Sequence, residues 1–282
     1  MPVYEESYRS WEGILKQHPR TWWIIARTGI RLLWKKSMII FLIFAYIPFF
    51  VRAVQIYIVT QLELKVQLDQ AMKPFKINPE FFFQFIWAQM FFLVLVLIFS
   101  GAGIIANDKK FKALSIYFSK PVGLWDYLFG KWLILFFYGS LVTMIPAIIL
   151  FLTRVFLSKD SAFFNNYFWI PLSIISVVIL ITGVLGMLIL ALSAACRGTR
   201  SAAIFFFTIY IVPDILGQII TKIPEIKLVS LSADFKQTGS LLFGIKLPYT
   251  FPFWLSILVL AVAAALSILT IRLKVKPTEV VK

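Results

Sequence analysis

Long runs of apolar residues, separated by short polar segments, dominate the chain. A helix of about 20 mostly apolar residues crosses the roughly 30 Å hydrocarbon core of a bilayer. Six runs reach that length, at about residues 37–62, 81–106, 132–153, 168–196, 201–221 and 248–271. We therefore predict an all-α integral membrane protein with six membrane-spanning helices. It has an N-terminal segment at residues 1–36 and one membrane domain at residues 37–282.

Two features suggest elements beyond plain spanning helices. The fourth run lies within an uncharged stretch of 36 residues from Ser161 to Cys196, which leaves room for a lead-in element before a helix that starts near Phe168. The segment 222–247 mixes charged and apolar residues and has room for a short re-entrant or interfacial helix. Prolines within or at the start of spans predict kinks that free backbone carbonyls, and they are Pro48, Pro146, Pro171, Pro213 and Pro252.

Composition supports the membrane assignment and narrows the chemistry. Hydrophobic residues make up 60% of the chain and charged residues 15%, whereas soluble domains average about 45–50% and about 25%. The chain has one cysteine, Cys196, and one histidine, His18. An intrachain disulfide and a Cys- or His-clustered metal site are therefore excluded, and we expect no metal site.

The chain is strongly basic, with 28 Lys and Arg residues against 13 Asp and Glu and a net charge of +15. In a soluble protein this charge would suggest nucleic acid, but here we expect basic loops that face an anionic cytoplasmic leaflet. Segments 1–36, 107–131, 197–200 and 272–282 hold 18 of the 28 basic residues. The positive-inside rule then places both termini in the cytoplasm. We expect a multi-pass protein of the plasma membrane that binds no nucleic acid.

The segment before the first span predicts an amphipathic helix that begins at Pro19. At 100° per residue its basic and apolar residues fall on opposite faces. The basic face holds Arg20, Arg27, Arg31 and Lys35, and the opposite face holds Trp22, Ala26, Gly29 and Leu33. This pattern is typical of a helix that lies in the membrane interface. A simple positive anchor for the first span is the alternative, and docking of a partner stays open.

Two charged residues, Arg52 and Asp214, lie inside predicted spans. Such a charge costs about 2.5–3.5 kcal/mol on insertion scales and marks a candidate functional site. At 1.5 Å per residue they lie about 22 and 20 Å from the cytoplasmic end of their helices. Our hypothesis is that Arg52 and Asp214 form a gate or pathway-lining pair, within one chain or across a dimer. A neutralising ion pair, or an Arg52 that snorkels to the headgroups, is the alternative.

The segment after the second span predicts a helical elbow, which we define as residues 107–131. A polar step from Asn107 to Lys110 precedes apolar residues at helical spacing, and Pro121 ends that helix. A second short amphipathic piece follows around Trp125. Such an elbow along the cytoplasmic surface can transmit a push from a soluble partner to two spans. An ordinary amphipathic connector is the alternative.

This stretch resembles the permease subunits of type-2 ABC exporters. The matching positions are Gly103, Ile104, Asp108, Leu114, Ser119-Lys120-Pro121-Val122, Tyr127 and Gly130-Lys131. The Gly-Thr pair usual in that family is replaced here by Lys112-Ala113. The six-span layout and the helix before the first span also fit. The resemblance implies an ATPase-coupling role for Asp108, Lys109, Lys110, Leu114, Ser119, Lys120, Pro121, Gly130 and Lys131.

The resemblance also implies partners. Two permease chains, identical or related, would form the pathway, and two separate ATPase subunits would bind ATP and Mg²⁺ beneath them. We expect no catalysis on this chain, because Gly123 to Lys131 fails the phosphate-binding pattern: six residues separate its glycines and Trp132 follows the lysine. The alternatives are a non-transporting membrane scaffold or assembly factor and an intramembrane lipid-modifying enzyme.

Overall fold

The computed structural model describes residues 20–65, 77–118, 122–158, 162–219 and 224–275. These residues form α-helices and one short 3₁₀ helix, with no strand in the described ranges. The helices are α1 (Thr21–Leu33), α2 (Lys36–Ala45), α3 (Ile47–Lys65), α4 (Pro79–Gly101), α5 (Ala106–Lys110), α6 (Ala113–Phe118), α7 (Leu124–Val142), α8 (Met144–Leu157), α9 (Ala162–Tyr167), α10 (Ile170–Ala195), α11 (Thr199–Ile219), the 3₁₀ helix Pro224–Val229, α12 (Leu231–Leu242) and α13 (Phe253–Lys274).

Six helical segments are long and apolar enough to cross a membrane, as the hydrophobic runs predict. They are Lys36–Gln61, Pro79–Lys110, Leu124–Leu157, Phe163–Ala195, Thr199–Ile219 and Phe253–Lys274. The all-α prediction with six such helices is therefore confirmed. The chain has the architecture of a multi-pass membrane protein.

The prolines explain where several of these helices start. Pro48, Pro146 and Pro171 each lie in the first turn of a helix (α3, α8 and α10), where a missing amide proton costs no hydrogen bond. The first and third spans are consequently broken in two, at Tyr46 and at Thr143. Pro213 differs because it lies inside α11.

Several predicted boundaries are wrong, and two of them bear on the candidate site. The third span begins at Leu124 rather than at residue 132, because α7 continues without a break through the stretch predicted as a separate amphipathic piece. The N-terminal helix ends at Leu33, and Lys35 precedes the next helix with extended backbone. Lys35 therefore does not extend the basic face of α1.

Helix α10 forms the centre of the bundle and packs against α4, α7, α8, α11, α12 and α13. Close approach between spans depends on glycine at Gly139, where a Cβ atom would lie 2.8 Å from the side chain of Thr182. The lead-in element expected before α10 is the short helix α9. The segment 222–247 contains α12, whose position against α10, α11 and α13 buries most of its residues.

Candidate functional site

The residues between α4 and α7 bring several predicted site residues together. Asp108, on α5, lies with its Oδ2 atom 2.7 Å from Nζ of Lys131 on α7. The hydroxyl of Tyr127, one turn before Lys131, donates to the same Oδ2 atom at 2.8 Å. Lys131 Nζ also donates to the carbonyl oxygen of Ile104 at 3.4 Å. Four residues thus fix α5 against the first turns of α7.

Two tyrosine rings shield this ion pair from solvent. Lys131 Nζ lies 5.5 Å from the ring centre of Tyr117 and 5.4 Å from that of Tyr127. The side chains of Lys131 and Asp108 are 8% and 17% exposed. Burial, with a smaller contribution from the Asp108 charge, raises the pKa of Tyr117 above its usual value. An ion pair in such surroundings is stronger than one at an open surface.

The start of α5 is also tied to the end of α10. Ser193 Oγ accepts from the backbone amides of Ile105 and Ala106, both at 3.0 Å, and donates to the carbonyl of Ala102 at 2.9 Å. Lys109 Nζ donates to the carbonyl oxygen of Ala194 at 2.7 Å. That carbonyl belongs to the last turn of α10, where a cation is favourable for the helix dipole. A displacement of α5 must therefore disturb the fourth span.

A third attachment joins α5 to the start of α11. Thr199 Oγ1 donates to Oδ1 of Asn107 at 3.2 Å. The approach is close, since a Cβ atom at Gly103 would lie 2.9 Å from Thr199 Oγ1. A cleft of about 240 Å³ opens here, and Asn107, Asp108 and Lys131 are among its lining residues.

Gly130 has a different role, because it lets α1 pack on α7. A Cβ atom at Gly130 would lie 2.8 Å from the carbonyl oxygen of Trp22 and 2.9 Å from Cβ of Ile25. The Trp22 ring meets Phe129 edge-on at 5.2 Å. Further along, the hydroxyl of Tyr138 donates to the carbonyl of Ile30 at 2.9 Å. The apolar face predicted for α1 thus lies against the third span.

The basic side chains of α1 are exposed. Arg20, Arg27 and Arg31 lie away from α7, and Lys35 is exposed beyond the end of the helix. This half of the amphipathic prediction matches the structure for the three arginines.

The turn between α5 and α6 is strongly exposed. Phe111 is 72% exposed, and Lys110 Nζ lies 5.5 Å from its ring centre. Lys112 has a positive φ of 55°, a left-handed conformation that breaks the helix predicted across this stretch. Leu114 is half-buried on α6. Ser119, Lys120 and Pro121 lie outside the described residues.

Arg52 and Asp214 do not pair within one chain, so that form of the hypothesis is wrong. Arg52 donates to Oε1 of Gln55 at 2.8 Å, one turn away, and its guanidinium lies 4.9 Å from the ring centre of Phe81. Asp214 accepts from Gln218 at 3.0 Å and from Ser230 at 3.1 Å. It also accepts from Ser232. Asp214 therefore holds the start of α12 against α11.

Sequence reasoning missed Ser193 and Thr199. Each is a hydroxyl residue in or beside a long apolar run. A hydropathy pattern does not distinguish such a residue from others that a spanning helix tolerates. The one available signal was position, because both flank the short basic turn between the fourth and fifth spans. Among the described residues, no three His, Cys, Asp or Glu side chains lie together in a way that would hold a metal ion.

Comparison with known proteins adds no assignment. No family model matches the chain, and no curated protein matches it.

Proposed function

We propose that the chain is the membrane-spanning permease subunit of an exporter of the type-2 ABC class. Two such chains, identical or related, would form the pathway across the plasma membrane. Two separate ATPase subunits would bind ATP and Mg²⁺ and drive the cycle. In this proposal both termini lie in the cytoplasm, and so does the elbow at residues 107–131.

The observation that carries the proposal is the way α5 is fastened to several spans while the turn beside it stays exposed. Asp108 joins α5 to α7, and Lys109 joins it to α10. Phe111, at the adjoining turn, offers an exposed apolar side chain to a partner. A contact at Phe111 would therefore be coupled to the third and fourth spans through short polar links.

This arrangement suits a switch driven from outside the membrane. A packed interface responds to a push by moving rigid elements as units rather than by bending each of them. ATP binding that draws two ATPase subunits together would shift the elbow. The ion pair and the Ser193 hydrogen bonds would carry that displacement to α7 and α10.

Helix α1 fits the same arrangement as an interfacial element. Its apolar face packs on α7 at Gly130, and its arginines point away from the bundle. Exposed arginines at the cytoplasmic surface are attracted to anionic lipid headgroups by about 1 kcal/mol each. In this proposal α1 holds the third span at a fixed depth while the elbow moves.

Copurification of an ATPase tests the proposal. The tagged chain, purified from its own membranes in mild detergent, should bring a stoichiometric nucleotide-binding subunit and ATP hydrolysis that depends on the chain. Phe111→Asp should remove both, because it places a charge in the apolar contact. Phe156→Asp is the matched control, since Phe156 is 82% exposed near the end of α8, far along the chain from the elbow.

Two outcomes would overturn the proposal. The first is a wild-type chain that purifies without any nucleotide-binding subunit. The second is a Phe111→Asp chain that keeps its ATPase and its activity unchanged. A bound partner without stimulated hydrolysis would instead favour the non-transporting scaffold.

A further inference from the structure

Helix α12 lies at the end of the bundle opposite α5 and carries an acidic residue into the interior. Its first turn is held by Asp214 through Ser230 and Ser232. At the other end of α12, the carbonyl oxygen of Leu242 accepts a hydrogen bond from Ser173 Oγ at 2.7 Å. Between these two attachments Asp234 is 0% exposed.

Asp234 has no well-formed hydrogen bond to a described residue. Both of its carboxylate oxygens are buried and unpaired, and so are the hydroxyls of Thr238 and Ser256. Thr238 lies one turn along α12, on the same side as Asp234. Ser256 lies on the facing helix α13, near enough for its hydroxyl to act on the Asp234 carboxyl. Three polar side chains that lack partners thus occur around one packed contact.

No described cation neutralises Asp234. Lys236 Nζ lies 4.5 Å from the ring centre of Trp87, and Lys227 Nζ lies 5.1 Å from that of Tyr249. Neither lysine makes a salt bridge to Asp234. A bare carboxylate in this setting would bear a large desolvation cost.

The other titratable groups around α12 do not change that conclusion. Helix α10 has none, and the charged residues of α13 lie in its last turn, far from Ser256. Among side chains that the structure describes, the remaining groups on neighbouring elements are Arg200, in the first turn of α11, Tyr210 and Asp214 further along α11, Glu80 on α4, and Lys246 and Tyr249 after α12. Asp214 and Asp234 both raise the pKa of Tyr249, after burial as the larger cause.

We infer that Asp234 is a proton-binding site, and that its carboxyl group carries a proton while α12 is packed against α13. A protonated carboxyl carries no net charge, so its burial without a neighbouring cation avoids the cost of a bare carboxylate. A proton is also the occupant that needs no additional space. Burial raises the pKa of Asp234 to about 7, and the Ser256 hydroxyl offsets part of that rise.

The proton then controls how firmly α12 is held. Water that reaches Asp234 when α12 moves away would return its pKa toward 3.8 and release the proton. Protonation therefore favours the packed position of α12, and deprotonation favours its release. This inference does not depend on the transport function proposed above.

Infrared spectroscopy of the isotope-labelled aspartate carbonyls tests the site directly. The purified chain in lipid nanodiscs should show a protonated carboxyl band at about pH 5 that is lost by about pH 9, with a midpoint near 7. The band should be absent from Asp234→Asn, which keeps the shape of the side chain. It should remain in Asp126→Asn, the matched control, because Asp126 lies in the first turn of α7, at the other end of the bundle from α12.

Other results would overturn the inference. A band that survives in Asp234→Asn belongs to another residue. A band that appears only after sodium is replaced by choline would make Asp234 a metal-cation site instead. If Asp234→Asn does not fold, Ser256→Ala replaces it: the midpoint of the band should move to higher pH, because the Ser256 hydroxyl lowers the pKa of Asp234. A midpoint that does not move would contradict the assignment of the band to Asp234.

Discussion

Nζ of Lys131 lies 2.7 Å from Oδ2 of Asp108, and this contact joins the start of the third span to the short helix after the second. It is the one salt bridge between two residues that the structure describes. The same carboxylate oxygen accepts from Tyr127. Loss of Asp108 therefore removes an acceptor from both Lys131 and Tyr127. Loss of Lys131 leaves the Asp108 carboxylate with one of these two donors, Tyr127.

Breaking this pair should destabilise the chain. Asp108→Ala and Lys131→Met should each lower the free energy of unfolding by about 3 kcal/mol, since each leaves a mostly buried charge without its partner. The loss should be larger for Asp108→Ala because Tyr127 also loses its acceptor. Thermal unfolding of the purified variants in nanodiscs measures the effect.

The double variant provides the sharper test of the same contact. Asp108→Ala combined with Lys131→Met should cost about 0.5–3 kcal/mol less than the sum of the single changes. Asp126→Asn is the control, because Asp126 lies in the first turn of α7 without a salt bridge to a described residue, and its change should cost less than about 1 kcal/mol. Simple additivity of the two changes would contradict direct pairing.

A methyl group at position 130 should separate α1 from α7. In Gly130→Ala the new Cβ atom would overlap the Trp22 carbonyl oxygen, a backbone atom that moves only with the helix. Overpacking of this kind costs about 1–3 kcal/mol. We expect faster amide hydrogen exchange throughout α1.

Gly183→Ala is the matched control for position 130. Nothing lies within 4 Å of a Cβ atom placed at Gly183, and alanine is favoured over glycine inside a helix by about 1 kcal/mol. Exchange in α1 should therefore be unchanged. Equal effects of the two substitutions would show that close packing at Gly130 is unimportant.

The spans could be predicted from sequence because length and hydropathy are sufficient to identify them. The start of the third span could not, since Lys131 resembles a residue of a polar loop. In the structure Lys131 is buried inside α7, where Asp108 on another helix neutralises it. A hydropathy pattern treats each charge alone and cannot anticipate such compensation.

The candidate site shows the same limit. Asp108, Gly130 and Lys131 were identified from a resemblance, but their contacts depend on how α1, α5 and α7 pack. The hypothesis that Arg52 and Asp214 pair rests on two costly charges at similar depths within their spans. In the structure each has uncharged partners. Arg52 donates to Gln55, and Asp214 accepts from Ser230 and Ser232 at the start of α12. Hydroxyl and amide partners carry too little sequence signal to be predicted.

Gln237 should hold the loop between α12 and α13. Its Nε2 atom donates to the carbonyls of Tyr249 at 3.2 Å and Phe251 at 2.9 Å, and the Tyr249 amide donates to its Oε1 atom at 3.2 Å. Gln237→Leu leaves these three groups unpaired, at about 1–3 kcal/mol each unless the loop moves into water. We expect faster protease cleavage and amide exchange at residues 246–252.

Gln84→Leu is the comparison for this loop. Gln84 is exposed and makes one hydrogen bond, to Glu80 at 3.3 Å. Its replacement should change stability by no more than about 0.5 kcal/mol. A loop that is equally protected in both variants would contradict the role of Gln237.

The stability of the chain should depend on pH through Asp234. The pKa of this carboxyl is about 7 in the folded chain and 3.8 in the reference state, so the folded state binds the proton more tightly. The stabilisation is fully present below about pH 4 and is lost as the pH rises through 7. The melting temperature should therefore fall between about pH 5 and 8, by roughly 2–4 °C for each kcal/mol. In Asp234→Asn this component should vanish, while Asp126→Asn, which changes an acid at the other end of the bundle, should keep it. If the melting temperature of the wild-type chain changes over this interval by the same amount as that of Asp234→Asn, then Asp234 does not titrate there.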